Sequence, residues 1–405
     1  MNMTSAQSRK ALAGATSEAQ RRLAYFLTYF KERRDQIVAT IRELVEIESP
    51  SDDKPAADRL SALLAEKFAA LGAQVKIHRA EKFGNHLQVD FPAQSAAKPV
   101  LLLGHYDTVY PLGTLASMPC RVEKDRLTGP GVLDMKSGIA LMLHSLSALQ
   151  HRHGEDWHSE LPRPVTVLLV SDEEVGSDSS RAITESLAKK SAAVLVLEPS
   201  YGLEGAVKTA RKGVGDYQIK ITGKASHAGL DFQKGINAIV ELARQIEKVS
   251  RFTDLKKGLT VNVGTVSGGS RTNVVPADAA AQVDVRIARL KDAAGIDKKM
   301  RSLRPFNRKC RLEIAGGINR PPMERTPGVA ALYAKAVTIA RDLGWKLGEA
   351  AVGGGSDGNF TAGLGIPTLD GLGAVGDGAH APHEHILISE LPRRAALLAG
   401  LIEAV

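Results

Sequence analysis

The sequence predicts an α/β protein built on a doubly wound, mostly parallel sheet with helices on both faces, interrupted by an inserted βαββαβ, ferredoxin-like domain. Three observations predict it. Continuous apolar runs at 98–105 (KPVLLLGH), 164–174 (PVTVLLVSDEE) and 192–199 (AAVLVLEP) alternate with helical segments. Such runs suit strands buried on both faces, and their alternation with helices implies parallel pairing through right-handed crossovers. Near residue 208 the pattern changes to every-other-residue alternation, as in an antiparallel strand with one wet face. Finally, His, Asp or Glu residues follow each apolar run, where a parallel sheet presents side chains to a site.

The elements follow in order. Residues 1–48 read as helical, with Ile37, Ile41, Leu44 and Val45 on one stripe. The turn SPSDD (49–53) leads into a helix over 56–71 that stops at Gly72. Two short strands are expected between Val75 and Val89, then the strand 98–105, a loop over 106–133 and a helix over 137–149. The strands 164–174 and 192–199 flank the helix SRAITESLAKK. Beyond 208 come a strand (213–224), a helix (235–250), strands at 259–269 and 279–289, a basic helix near 291–304 and a strand in RKCRLEIAGG. Helices at 327–343 and 388–404 flank GIPTLDGLGA. With 405 residues, too many for one ordinary core, the chain is expected to fold as a discontinuous main domain, 1–208 and 322–405, carrying a lid of 209–321.

Composition narrows the function classes. Hydrophobic content of 43% and charged content of 24% belong to a globular protein. Aromatics, at 4%, are too few for the stacking platforms that hold single-stranded nucleic acid. A net charge of +8 allows an anionic partner, and 289–311 holds nine Lys or Arg against two Asp. That segment reads as a solvated helix face; a non-catalytic nucleic-acid-binding protein is the remote alternative. Cys120 and Cys310 form no disulfide framework and suit a reducing compartment. No run of about 18 apolar residues and no secretory signal are evident, so the expected location is the cytoplasm, with neither membrane nor nucleic acid as partner.

The chemistry lies in His105, Asp107, Asp134, Glu173, Glu174, Glu198 and His380. Imidazoles mixed with carboxylates suit zinc or another divalent ion that accepts nitrogen and oxygen ligands. In a strand, Asp107 shares a face with His105 and can fix its tautomer. Asp134, in a Gly-Pro-Gly loop before a helix, suits either a metal bridge or a helix N-cap. Burying the adjacent Glu173 and Glu174 demands compensating cations or protons. A carboxylate beyond those the metals need serves as a general base.

The motifs His-x-Asp-Thr-Val, Gly-x-x-Asp-Met-Lys-x-Gly, Glu-Glu-x-Gly-Ser and Gly-Lys-x-Ser-His-Ala-Gly, in this order, resemble the cocatalytic dizinc peptidases, the family of bacterial glutamate carboxypeptidase, acetylornithine deacetylase and succinyl-diaminopimelate desuccinylase. The resemblance spans about residues 37–405. It implies two zinc ions per subunit, with cobalt or manganese as alternatives. His105, Asp134 and Glu198 would hold one ion, and Asp134, Glu174 and His380 the other. Glu173 would be the base and Asp107 the partner of His105. In GAHAPHEHI, motif register favours His380 over His383 as last ligand; His383 stands where the family usually has Asp or Asn.

The resemblance also implies that His227 reaches a neighbouring subunit's site to stabilise an oxyanion, which requires a homodimer joined through the lids. Asn273 and Arg286 match positions that contact substrate, and Arg320 resembles an arginine that holds a substrate carboxylate. Gly354 and Gly355, in GGGSDGNF, offer backbone donors for an α-carboxylate, or simply a tight turn. The expected activity is hydrolysis of an amide beside a free carboxylate in a small peptide or N-acyl amino acid. The first reading is a carboxypeptidase releasing a C-terminal residue such as glutamate; the alternative is an N-acyl-amino-acid deacylase.

Overall fold

The computed structural model describes residues 18–405; the part of the expected first helical region before residue 18 lies outside the described residues. The chain forms two compact units. The first takes the described residues of Met1–Thr209 with Thr326–Ala350 and Ile366–Val405; the second takes Ala210–Arg325 with Ala351–Gly365. The division departs from the expected boundaries at 322–325 and 351–365, which join the second unit. Asn359 explains part of this: its amide donates to the carbonyls of Lys212 (3.0 Å) and Pro321 (2.7 Å), and Asp357 pairs with Arg320 at 3.0 Å.

The first unit opens with helices Glu18–Glu32, Arg34–Val45 and Lys54–Ala69. The last starts two residues before the expected position because Asp53 caps it, accepting from the Ala56 amide, with Pro55 in the first turn. Its sheet runs in the order Gln74–His78, His86–Phe91, Val165–Val170, Val100–His105, Ala193–Val196, Thr368–Leu369. The first two pairings are antiparallel and the other three parallel, so the sheet is mixed. Only a short link joins the first two strands, too short for a crossover, which forces antiparallel pairing there.

Strand alternation splits the central runs between two apolar clusters. Val100, Leu102, Val167, Leu169 and Leu195 face the larger core; Leu101, Leu103, Leu168, Val170, Val194 and Val196 pack with Ala188, Ile183 and Leu187 of helix Arg181–Lys190. The segment Val132–His153 is long and apolar enough to cross a membrane by length and composition, yet 83% of its 18-residue apolar window is buried inside the protein. The expected loop 106–133 contains two short strands, Arg121–Glu123 and Arg126–Thr128, which pair with each other; the second also pairs with His385–Leu387, which in turn pairs with Gly376–Asp377. That partner lies roughly 250 residues away, so no local pattern announces it.

The second unit holds an antiparallel sheet in the order Thr260–Gly268, Asp278–Ile287, Gly213–Thr222, Arg311–Arg320. Tyr217, Ile219, Ile221, Val283, Val285 and Ile287 face helices Ala238–Ser250 and Ala293–Arg301 through Leu242, Val249, Ile296 and Met300. Part of the basic stretch is neutralised locally: Arg289 pairs with Asp292, Arg301 with Asp297 and Arg311 with Glu313.

Candidate metal centre

Parallel pairing puts His105 opposite Val170 at the carboxyl ends of adjacent strands, so the segments leaving both strands begin side by side. His105 is buried. Its Nδ1 lies 3.1 Å from the Asp107 carbonyl and 3.4 Å from Asp107 Oδ1, which orients the ring. Asp107 is fully buried and serves two strand ends at once. Its Oδ2 accepts from the Ser51 hydroxyl (2.7 Å) and the Glu174 amide (3.2 Å), and its Oδ1 accepts from the Glu173 amide at 3.3 Å. The expected strand 164–174 stops at Val170, and Glu173–Val175 forms a single 3₁₀ turn that Asp107 holds by these amides.

Asp134 arrives from the loop before helix Ser137–His153, and its peptide bond to Met135 is cis. Two glycines permit this approach. Gly131 has φ +69°, and a Cβ there would meet the Thr108 side chain at 2.5 Å; a Cβ on Gly138 would meet the Leu197 carbonyl oxygen at 2.2 Å. Asp134 is therefore no helix cap; its carboxylate stands between two imidazoles. Its Oδ1 is 3.1 Å from His105 Nε2 and its Oδ2 is 3.4 Å from His380 Nε2. Glu198, just past strand Ala193–Val196, brings Oε1 to 3.5 Å from His105 Nε2. Glu174 Oε1 lies 3.2 Å from His380 Nε2.

Two ligand groups result, His105–Asp134–Glu198 and Asp134–Glu174–His380, each with its donor atoms within 4.8 Å of one another. His383 is in neither; its carbonyl accepts from His385 Nδ1. The electrostatics suit cations. Burial disfavours a charged His105, yet hydrogen bonds to Asp107, Asp134 and Glu198 outweigh it and hold its pKa well above the usual value. Hydrogen bonds to Asp134 and Glu174 raise His380 to about 10. Burial raises Glu174. Burial would raise Asp134 too, but hydrogen bonds from His105 and His380 hold it well below the carboxylate range. A cluster whose carboxylates push the pKa of both imidazoles upward carries the negative potential that divalent ions would neutralise. The donor set of one nitrogen and two carboxylates per group fits zinc-like ions.

The remaining predicted residues belong to the second unit. His227, on the short strand Ser226–His227, accepts at Nδ1 from the amides of Gly229 (3.1 Å) and Leu230 (3.2 Å), which leaves the proton on Nε2. The Asn273 carbonyl accepts from the Ala228 amide, beside His227. Arg286 donates through Nε to both oxygens of Asp284 (2.7 and 2.8 Å). Arg320 is buried and bonded to Asp357. Gly354 and Gly355 turn their carbonyls toward the Arg211 guanidinium, at 3.3 and 3.1 Å.

Sequence reasoning passed over Glu384, which is fully buried and accepts from the amides of Gly131, Leu133 and Asp134 and from the Tyr110 hydroxyl. It also passed over Ser51 as partner of Asp107. A lone Glu between two His residues in GAHAPHEHI carries no periodic signal, and the loop it grips is 250 residues away.

Comparison with known proteins identifies the chain's relatives. Carboxypeptidase G2 of Pseudomonas sp. strain RS-16 is 32% identical over 401 residues, covering 97% of this chain and 94% of that protein. An uncharacterized Bacillus subtilis protein, YqjE, is 27% identical, covering 89% of this chain and 96% of its own. Among solved structures, aminopeptidase PepT of Bacillus cereus superposes with a TM-score of 0.75 at 23% identity, covering 91% of this chain and 98% of that one. The M20 family metallo-carboxypeptidase Sso-CP2 of Sulfolobus solfataricus gives 0.72 at 17% identity, with the same coverages of 91% and 98%. The family model for peptidase family M20/M25/M40 matches residues 101–404, which include every residue of both ligand groups, and the chain belongs to that family.

Proposed function

We propose that this peptidase is a two-zinc, carboxypeptidase-type hydrolase that cleaves an amide next to a free carboxylate and releases a C-terminal residue such as glutamate. One observation carries the reading: Asp134 turns one oxygen toward His105 and the other toward His380, so a single carboxylate would join two cation sites. His105, Asp134 and Glu198 would hold one ion and Asp134, Glu174 and His380 the other. When bound, such a pair lowers the pKa of water and polarises the scissile carbonyl. Glu173 belongs to neither group and stands next to the ligand Glu174 on the same turn, as a general base requires. Its carboxylate takes the proton of the attacking water and passes it to the leaving amine nitrogen. Asp107 fixes the His105 ring and the Glu173–Glu174 turn together.

The second unit supplies the proposed contacts to substrate. His227, with its proton on Nε2, acts as an oxyanion donor in the partner subunit of a homodimer, and Asn273, Arg286, Arg320, Gly354 and Gly355 hold the substrate. Support for a dimer is the sheet edge Thr260–Gly268 with Val266 59% exposed, and Leu230 and Phe232 exposed at 82% and 65%. Free thiols at Cys120 and Cys310 suit the cytoplasm.

The test loads the purified protein with zinc and offers N-acyl-glutamates, dipeptides and N-acetyl amino acids. Two bound equivalents, hydrolysis of N-acyl-glutamates and its loss on chelation are expected. Preference for N-acetyl amino acids would replace the carboxypeptidase with the deacylase. A protein that binds no divalent ion would end both readings. Glu173→Ala should keep two equivalents and lower kcat by about 10²–10⁴-fold; an unchanged kcat removes Glu173 as base.

A further inference from the structure

We infer that Glu384 is a positioning residue for the shared carboxylate Asp134, gripping the main chain of its loop from beneath. The inference rests on the proposed two-cation centre for its consequence, but its geometry is independent of any ion. Glu384 is fully buried, and four donors converge on its carboxylate. Oε1 accepts from the amides of Leu133 (2.7 Å) and Asp134 (3.0 Å). Oε2 accepts from the Gly131 amide (3.0 Å) and the Tyr110 hydroxyl (2.7 Å). A carboxylate has about four acceptor sites, so this one is saturated.

Three of those donors are backbone amides of the 131–134 loop, a stretch that runs at left-handed φ at Gly131 and at non-helical angles at Asp134. Such a loop has no ladder of its own to satisfy its amides, and buried amides need acceptors. One side chain answers for three of them. It therefore sets where the loop lies, and with it where the Asp134 carboxylate sits between His105 and His380.

Glu384 also shares a tight turn with the ligand at the other end of the segment. The Ala381 amide donates to the Gly378 carbonyl and the Glu384 amide to the Ala381 carbonyl. Thus the turn that presents His380 to Glu174 and Asp134 is anchored, four residues on, to the loop that presents Asp134. Two ligands that arrive from distant parts of the sequence are held by one short piece of chain.

Glutamine tests this with little change of shape. Its single carbonyl oxygen can serve one pair of donors, while its amide nitrogen must face the other pair. Placed with oxygen toward Leu133 and Asp134, it leaves the Gly131 amide without an acceptor, since an N–H cannot reverse its role as the Tyr110 hydroxyl can. Glu384→Gln should therefore speed hydrogen exchange of the metal-free protein at 131–134, most at the Gly131 amide. Because Asp134 belongs to both ligand groups, cobalt titration should show both equivalents weakened, by about 10–100-fold each, the loss typical of an outer partner of metal ligands.

Three results would overturn the inference. One is exchange at 131–134 equal to that of the parent protein. Another is faster exchange with both affinities within about twofold of the parent. The third is weakening of the His380 equivalent alone, which would mark a general loosening of that turn. Should Glu384→Gln not fold, Tyr110→Phe removes one of the four donors and should weaken both equivalents by about threefold; no change would then overturn the inference. A parent protein that binds no cobalt would sink the proposed function, while exchange at Gly131 would still decide whether Glu384 holds the loop.

Discussion

The two ligand groups share Asp134 but are built in opposite ways. In the inner group, His105 and Glu198 are both buried and sit at or just beyond the ends of neighbouring parallel strands. In the outer group, His380 stands on a loop at φ +63° with its side chain 50% exposed, and Glu174 sits on a single turn. Sheet hydrogen bonds fix the inner donors, whereas the outer ones depend on two turns being held in place by Asp107 and Glu384. Burial also strengthens the attraction between a cation and its carboxylates. The inner group would thus be the tighter and slower-exchanging site, and the outer one the place where an ion enters and leaves.

The largest effect expected from this arrangement comes from the residue common to both groups. Asp134→Asn should reduce the bound metal to below one equivalent and lower kcat/KM by about 10³-fold or more, the range of several kcal/mol of lost transition-state stabilisation. Retention of two equivalents would show that Asp134 is not shared. Next in size, the single-group variants should differ from each other. His380→Ala should keep one tight equivalent with nearly unchanged affinity, and His105→Ala should lose the tighter one. A substoichiometric chelator should likewise strip one equivalent first, leaving a species that matches His380→Ala by cobalt spectrum. Equal affinities in the parent protein would break the comparison.

The inner group was legible in the sequence because its positions follow from local pattern. VLLLGH and VLVLEP are apolar runs whose burial on both faces dictates strands, and the residues that follow must emerge at the sheet's carboxyl end. Register between strands, by contrast, is not written in any one run. The stop at Val170 instead of Glu174, and the antiparallel placement of His86–Phe91, follow from pairing and link length. In the outer group Glu174 also follows an apolar run, but the choice of His380 was readable only through motif resemblance, since GAHAPHEHI has three histidines and no periodicity to choose among them. Glu384 ends the family's His-x-Pro-x-Glu pattern yet was given no role: what it does depends on amides of a loop about 250 residues earlier, and a buried carboxylate looks like a solvated one until its donors are in view. The same holds for Arg320, whose sequence context of two prolines gave no hint that Asp357 would hold it inside the second unit.

The smallest effect is on stability against pH, and its sign separates the protonated cluster from the metal-loaded one. In the metal-free protein, hydrogen bonds to Asp134 and Glu174 raise His380 to about 10, with burial opposing them. The same kind of bonds hold His105 above its usual value against a larger burial penalty. A base whose pKa is higher folded than unfolded stabilises the fold fully below its unfolded pKa, about 6.5, and loses that contribution as pH rises through the folded value. Metal-free protein should therefore become less stable from about pH 6.5 to about 10, and His380→Ala should flatten part of the slope. His380 is half exposed, so solvent screening keeps its share below about 1 kcal/mol. Loaded protein should behave oppositely, because each ion displaces the imidazole proton and binding grows stronger as protons become scarcer. The gap in thermal midpoint between loaded and free protein should accordingly widen from pH 6 to pH 9. A gap independent of pH would mean that the ions do not compete with protons for His105 and His380, and the two groups would no longer be the metal ligands.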